Sequence, residues 1–295
     1  MNEGQGGLPA TAAPGAVRVE GAIRRRLRAG EAALVPFLTA GDPDAEASYG
    51  RMLAAVAAGA DILEVGLPFS DPVADGPTLQ AAAERALGRG GGTAATLALV
   101  ERLKAVRPDL PVVLLTYLNP VLRPGVEVFA RRAAAAGIDA LVVPDLSLEE
   151  SAPVREALHA AGVGLIAFAA PTSRGERLER MGRVAEGFVY CVARLGVTGA
   201  NATVDEGAAG IVARVRAVTS VPCAIGFGVG TPAAARAAAG IADAVIVGSA
   251  LAARGSGDGP MDAEAVGRLV GAMREAMDGS VRKTQGEGSQ DGRQR

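Results

Sequence analysis

"ILEVGLPFSDPVADGPTLQ", residues 62–80, decides how the rest of the chain is read. It begins as a short Ile, Leu and Val run of the kind that lies buried on both faces of a parallel sheet. It carries a glutamate, Glu64, in mid-run, then breaks into a loop that holds Asp71, Asp75 and prolines 68, 72 and 77. A carboxylate in such a strand is costly to desolvate, so its presence asks for a function. Side chains alternate along a strand, which puts Ile62, Glu64 and Gly66 on one face. With that face inward in a closed barrel, Glu64 stands at the mouth, where burial raises its pKa and suits it to acid–base work near neutrality. The alternative turns Glu64 onto the helix layer, paired with an arginine.

The same pattern repeats outward from this stretch. "ALVPFLTAG", "PVVLLTYLNP", "DALVVPDL", "VGLIAFAAP", "GFVYCVARLG", "VPCAIGFG" and "DAVIVGSA" are strand-like runs, separated by segments such as "DAEASYGRMLAAVAAGA" with helical apolar spacing. Roughly eight such units predict an α/β fold, a (β/α)8 TIM barrel, with an N-terminal helix capping it. A doubly wound sheet is the alternative, but the GxGxxG fingerprint is missing after the first strand. One barrel domain is expected over residues 17–278, with polar, flexible tails over 1–16 and 279–295. "GRGGG" at 88–92 lies between two helical patterns and reads as a connector.

Composition removes several function classes. A formal net charge of -2 and no sustained Lys/Arg field argue against nucleic-acid binding; Arg24, Arg25, Arg26 and Arg28 read as a solvated helix face. No uninterrupted apolar run is long enough to span a bilayer, and the first residues lack a secretory pattern, so a cytoplasmic protein without membrane contact is expected. Cys191 and Cys223 sit in apolar strand-like runs and read as buried thiols. A single histidine, His159, and two lysines, Lys104 and Lys283, leave no histidine triad, multi-histidine metal site or well-placed Schiff-base lysine. Acid–base chemistry falls to Asp, Glu or Tyr.

Asp75 follows Glu64 by 11 residues in the proline-stiffened loop, where its carboxylate can face Glu64 across a ligand; Asp71 reads equally as a loop-structuring residue. "AIGFGVGTPAAARA" and "VIVGSALAA" each run from strand through glycine into a helix start in the seventh and eighth units, the usual place for a phosphate in a barrel. Gly226, Gly228, Gly248 and Ser249 are the candidates, against the reading that these glycines only permit tight turns. "ARLGVTGANATVDEG", 193–207, has the small-residue composition of a loop that closes over substrate.

In order and spacing, "LVPFLTAGDPD", "ILEVGLPFSDPVADGPTLQ", "LLTYLNPV", "GVTGA", "GFGVGTP" and "VIVGSAL" resemble the motifs of the tryptophan synthase α subunit family, over about residues 18 to 277. The resemblance implies a carbon–carbon lyase that splits indole-3-glycerol phosphate by retro-aldol cleavage into indole and glyceraldehyde 3-phosphate. It implies that Glu64 relays the proton, that Asp75 holds the indole N–H, and that Tyr190 stands near the glutamate. It places Gly199, Gly228, Gly248 and Ser249 at the phosphate, Phe37, Leu115, Tyr117 and Phe227 around the indole, and Thr198 in the closing loop. It also implies a β subunit as partner in an α2β2 tetramer, docked by the loop after the second strand and the segment "VVPDLSLEES". Pyridoxal phosphate belongs to that partner, so no cofactor and no metal are expected here. Leu195, Asn201 and Ser147 depart from the family's usual residues in the closing loop and docking segment. The alternatives are a stand-alone lyase releasing free indole for specialised metabolism, and a non-catalytic regulatory subunit; a sugar-phosphate barrel shares the anion site but not the 62–80 stretch.

Overall fold

The computed structural model describes residues 12–194, 206–253 and 259–278. Its strands are β1 (Ala33–Thr39), β2 (Leu63–Gly66), β3 (Val112–Leu115), β4 (Ala140–Val142), β5 (Gly164–Leu165), β6 (Ala167–Ala169), β7 (Val189–Arg194), β8 (Cys223–Phe227) and β9 (Ala244–Val247). All paired strands run parallel, in the order β5-β4-β3-β2-β1-β9-β8-β7-β6. β5 and β6 are two halves of one run separated by Ile166, so the nine segments occupy eight positions and the run itself closes the ring. This is the expected (β/α)8 barrel.

Alternation along each strand sorts the apolar residues into two cores. Leu34, Leu63, Val65, Leu114, Leu141 and Val245 face the helices, while Val35, Phe37, Ile62, Val113, Val142 and Ile246 fill the barrel interior. The helix Pro14–Arg28 contributes Val19, Ala22 and Ile23 to that interior cluster and so plugs the N-terminal end of the barrel. Proline in its first turn, where a missing N–H costs nothing, favours that start. The helix therefore begins inside the stretch expected as tail over 1–16, because burying Gly15 and Ala16 against the barrel outweighs their weak local signal.

A repeated device closes the same end. Asp61, Asp139, Glu186 and Asp243 precede β2, β4, β7 and β9, and each carboxylate accepts a backbone N–H from the preceding stave: from Leu34 at 2.9 Å, Val112 at 2.8 Å, Leu165 at 2.8 Å and Cys223 at 2.7 Å. At three of them the acid's own N–H returns to the same residue's carbonyl: Asp61 to Leu34, Asp139 to Val112 and Asp243 to Cys223. Each carboxylate also meets a basic group, Arg26 and Arg274 for Asp61, Arg18 and Lys104 for Asp139, His159 for Glu186, and Arg216 for Asp243. The intervening seams are joined at this end by backbone bonds, such as Leu63 N–H to Pro111 O and Val189 N–H to Pro222 O.

Asp139 is fully buried, so Asp139→Ala strips a partner from Lys104 and orphans the Val112 N–H. A loss of about 3 kcal/mol or more in unfolding free energy is expected from denaturant titration. Turnover per folded molecule stays within about twofold, because the chemistry lies at the opposite end.

Candidate active site

Glu64 lies on β2 level with Phe37 of β1 and Val113 of β3, both inward-facing. Its chain neighbours Leu63 and Val65 belong to the helix-facing core, so Glu64 points into the barrel. It is fully buried, and among the described residues neither carboxylate oxygen has a hydrogen-bond partner. Desolvation, followed by the charge of Asp75, pushes its pKa up to about 8. Near neutrality Glu64 therefore holds its proton.

Asp75 sits in the loop between β2 and the helix Pro77–Gly88. The loop is braced by Asp75 N–H to Pro72 O at 3.0 Å, by Gln80 Nε2 to Asp75 O at 2.9 Å, and by Ala74 N–H to the Tyr117 hydroxyl at 3.1 Å. Burial raises the Asp75 carboxyl to about 6, while a hydrogen bond from Tyr117 pulls the other way. The Tyr117 phenol is itself held above its ordinary range by burial and by Asp75, so it remains a donor. Asp71 accepts from Ser70 Oγ at 2.6 Å on the exposed side of the loop, the structuring role open to it from sequence.

Asp75 borders a cavity of about 760 Å³ at the C-terminal ends of the strands, within the usual range for a small-molecule site. Asp75 and Leu79 enter its wall from the loop and following helix, Phe37, Leu115, Phe168 and Tyr190 from the barrel. Tyr190 stacks on Phe168 with ring centroids 5.1 Å apart. Its phenol is pushed well above its ordinary pKa by burial, then by the charges of Glu64 and Asp75. Gly226 on β8 makes this placement feasible, since a Cβ there collides with the Tyr190 hydroxyl. Gly228, with φ 80°, Gly248 and Ser249 complete the wall.

Not every residue implied by the resemblance can be placed in the cavity wall. Tyr117 lies behind Asp75, stacked on Phe69 at 5.4 Å, and is not part of the cavity wall. Phe227 is on β8, but its side chain, like Thr198 and Gly199 entirely, lies outside the described residues. Glu64 lies behind the wall and couples to it through Asp75 and Tyr190. Conversely, Phe168, Val192, Ile246 and Leu79 line the cavity without having been singled out. For Phe168, Val192 and Ile246 the signal was available: each shares strand parity with an inward residue, Ile166, Tyr190 and Ala244 respectively.

The remaining unusual residues are structural. His159 Nε2 lies 2.8 Å from Glu186, and Lys104 pairs with Asp139, both at the plugged end. Cys191 and Cys223 are free and buried. Among the described residues no group of three or more His, Cys, Asp or Glu side chains is placed to hold a metal ion, and no helix is long and apolar enough to cross a membrane.

Both the sequence and the fold match known proteins. The family model for the tryptophan synthase alpha chain matches residues 24–275. The tryptophan synthase alpha chain of Alkalilimnicola ehrlichii is 47% identical over 266 residues, covering 89% of this chain and 97% of that protein. That of Picosynechococcus is 46% identical over 233 residues, covering 79% and 88%. Among solved structures, tryptophan synthase of Mycobacterium tuberculosis superposes with a TM-score of 0.80 at 39% identity, covering 88% of this chain and 98% of that one. The alpha subunit from Legionella pneumophila gives 0.79 at 32% identity, covering 91% and 99%. With a model match across the barrel and relatives aligned over nearly their whole length, the chain belongs to the tryptophan synthase alpha chain family.

Proposed function

We propose that this barrel cleaves indole-3-glycerol phosphate to indole and glyceraldehyde 3-phosphate, with Glu64 as the proton relay and Asp75 as the anchor of the indole nitrogen. The observation that carries the assignment is an inward-facing, fully buried Glu64 with no hydrogen-bond partner among the described residues, set behind a cavity whose wall holds a second carboxylate, Asp75; burial pushes their pKa values apart, up to about 8 and about 6. Two like groups pushed apart in this way divide into an acid and an anion at neutral pH. Glu64 delivers its proton to indole C3, creating an indoleninium whose N–H faces the Asp75 carboxylate. The Glu64 carboxylate then takes the proton of the side-chain hydroxyl. The carbon–carbon bond breaks, its electron pair returns to the ring as indole, and the hydroxyl carbon becomes the aldehyde. The protonated indole serves as the electron sink, so the two carboxylates balance every proton and electron.

Phe37, Leu115 and the Phe168–Tyr190 pair suit the flat apolar indole, and Gly228, Gly248 and Ser249 suit the phosphate. Gly199, Thr198 and Phe227 keep their proposed parts at the phosphate, the closing loop and the indole. Residues 17–278 are read as one barrel domain, with its first helix beginning at Pro14.

We further assign the chain a β-type partner in an α2β2 assembly in the cytoplasm, with pyridoxal phosphate confined to that partner. The test is indole release from indole-3-glycerol phosphate with and without a β-type subunit. Slow turnover that rises on adding the partner supports the assembly; fast turnover indifferent to it favours the stand-alone lyase.

The pH dependence has a defined sign. Activity needs Glu64 protonated and Asp75 ionised, so kcat/KM is expected to be bell-shaped, falling below about 6 and above about 8. A profile flat from pH 5 to 9, measured under substrate-limited conditions, contradicts the assignment of both roles.

A further inference from the structure

A buried charge cluster outside the cavity connects two of its walls. Asp42, in the loop after β1, is 1% exposed. Its carboxylate receives a two-pronged bond from Arg85, Nε to Oδ1 at 2.7 Å and Nη2 to Oδ2 at 3.0 Å. Arg51, 2% exposed on the helix Ala45–Ala57, donates Nη1 to the Asp42 carbonyl at 2.8 Å and to Oδ2 at 3.3 Å. Its Nη2 donates to the carbonyl of Leu251 at 2.6 Å. Arg85 belongs to the helix Pro77–Gly88, which starts two residues after Asp75, and Leu251 to the short helix Ser249–Ala252, which starts at a cavity residue.

We propose that Asp42, Arg51 and Arg85 are positioning residues, and that their chain of bonds fixes the Asp75 loop in register with the Gly248–Ser249 wall. The proposal rests on the lyase reading and deepens it. Two guanidinium groups converge on one carboxylate, and each carries the constraint to a different segment. A planar guanidinium gripping both carboxylate oxygens resists rotation as well as translation, which a single ammonium bond does not. Misplacement of a reacting group by about an ångström costs rates on the order of 10²-fold, so a remote brace of this kind is visible in kinetics. Arg85 carries the Asp75 side and so kcat; Arg51 carries the Ser249 side and so KM.

The test uses Arg85→Met and Arg51→Lys in the full chain. The Arg85 side chain is 36% exposed and its loss leaves Asp42 paired with Arg51, so Arg85→Met is expected to fold. Its kcat for indole release should fall at least about tenfold with KM within about threefold, and Arg85→Lys should recover only part of the loss. Arg51→Lys keeps the charge but cannot span both Asp42 and Leu251, so KM should rise about tenfold with the smaller change in kcat. Hydrogen exchange across residues 70–80 should quicken in Arg85→Met and stay as in the wild type in Arg51→Lys.

Kinetic constants within about twofold of wild type, a loss that disappears once activity is expressed per folded molecule, or a KM effect alone in Arg85→Met overturns the proposal. A wild-type chain that releases no indole overturns the lyase reading instead. In that event exchange across 70–80 decides the brace: faster in Arg85→Met keeps it, unchanged refutes it.

Discussion

Replacing Glu64 with Gln is expected to lower indole release by about 10³-fold or more while making the protein more stable, and the gain should grow with pH. The loss of rate follows from removing a general acid and base that acts twice in one turnover. The gain follows from linkage. The folded-state pKa lies near 8 against an ordinary value of 4.5, so between those limits the folded chain holds a proton that the unfolded chain releases. Stability contributed by that proton is present below 4.5 and is lost as pH rises toward 8. At pH 7 the difference is about 3 kcal/mol, and Gln, which does not titrate, escapes it. In chemical denaturation, then, wild type and variant coincide near pH 4.5 and diverge to the variant's advantage by pH 8. A variant with lowered stability at every pH shows instead that Glu64 is a structural carboxylate; retained activity shows that it is not the relay.

The second large effect is expected at Asp75. Asp75→Asn keeps the size of the side chain and removes the anion that faces the indole nitrogen when positive charge develops there. A fall of about 10²- to 10³-fold in kcat is expected, with KM nearly unchanged, because the interaction strengthens only as the indoleninium forms. The variant also removes one of the two causes that raise the Glu64 pKa, so residual activity should titrate with an alkaline limb below about 8. A variant with raised KM and normal kcat would instead make Asp75 a substrate-binding group in the ground state.

Much of this was visible in the sequence because the relevant signals are local. Period-two alternation decided that Glu64 shares a face with Ile62, and the apolar runs with their helical spacers set the number of staves. What stayed hidden depends on partners far along the chain. Asp61, Asp139, Glu186 and Asp243 were in plain view at the heads of strands, but each bonds a backbone N–H on another stave, 27, 27, 21 and 20 residues away. The Asp42 cluster was invisible for the same reason, since Arg85 lies 43 residues on. Tyr117 shows a different limit. Its position after β3 put it near the mouth, but whether the ring faces the cavity or the Asp75 loop depends on the path of that loop, which no alternation rule describes.

In mechanical terms the rim of four acids makes this a cask hooped at one end. Each hoop bond crosses a seam at the foot of two staves, so a small splay of the sheet pivots about that foot, and displacement grows with distance along the strand. The heads of the staves, where the Asp75 loop, Gly228 and Gly248 follow β2, β8 and β9, have the longest lever arm. A push delivered at the mouth can therefore alter catalytic distances without slipping a strand's register, because the register is held at the end that does not move.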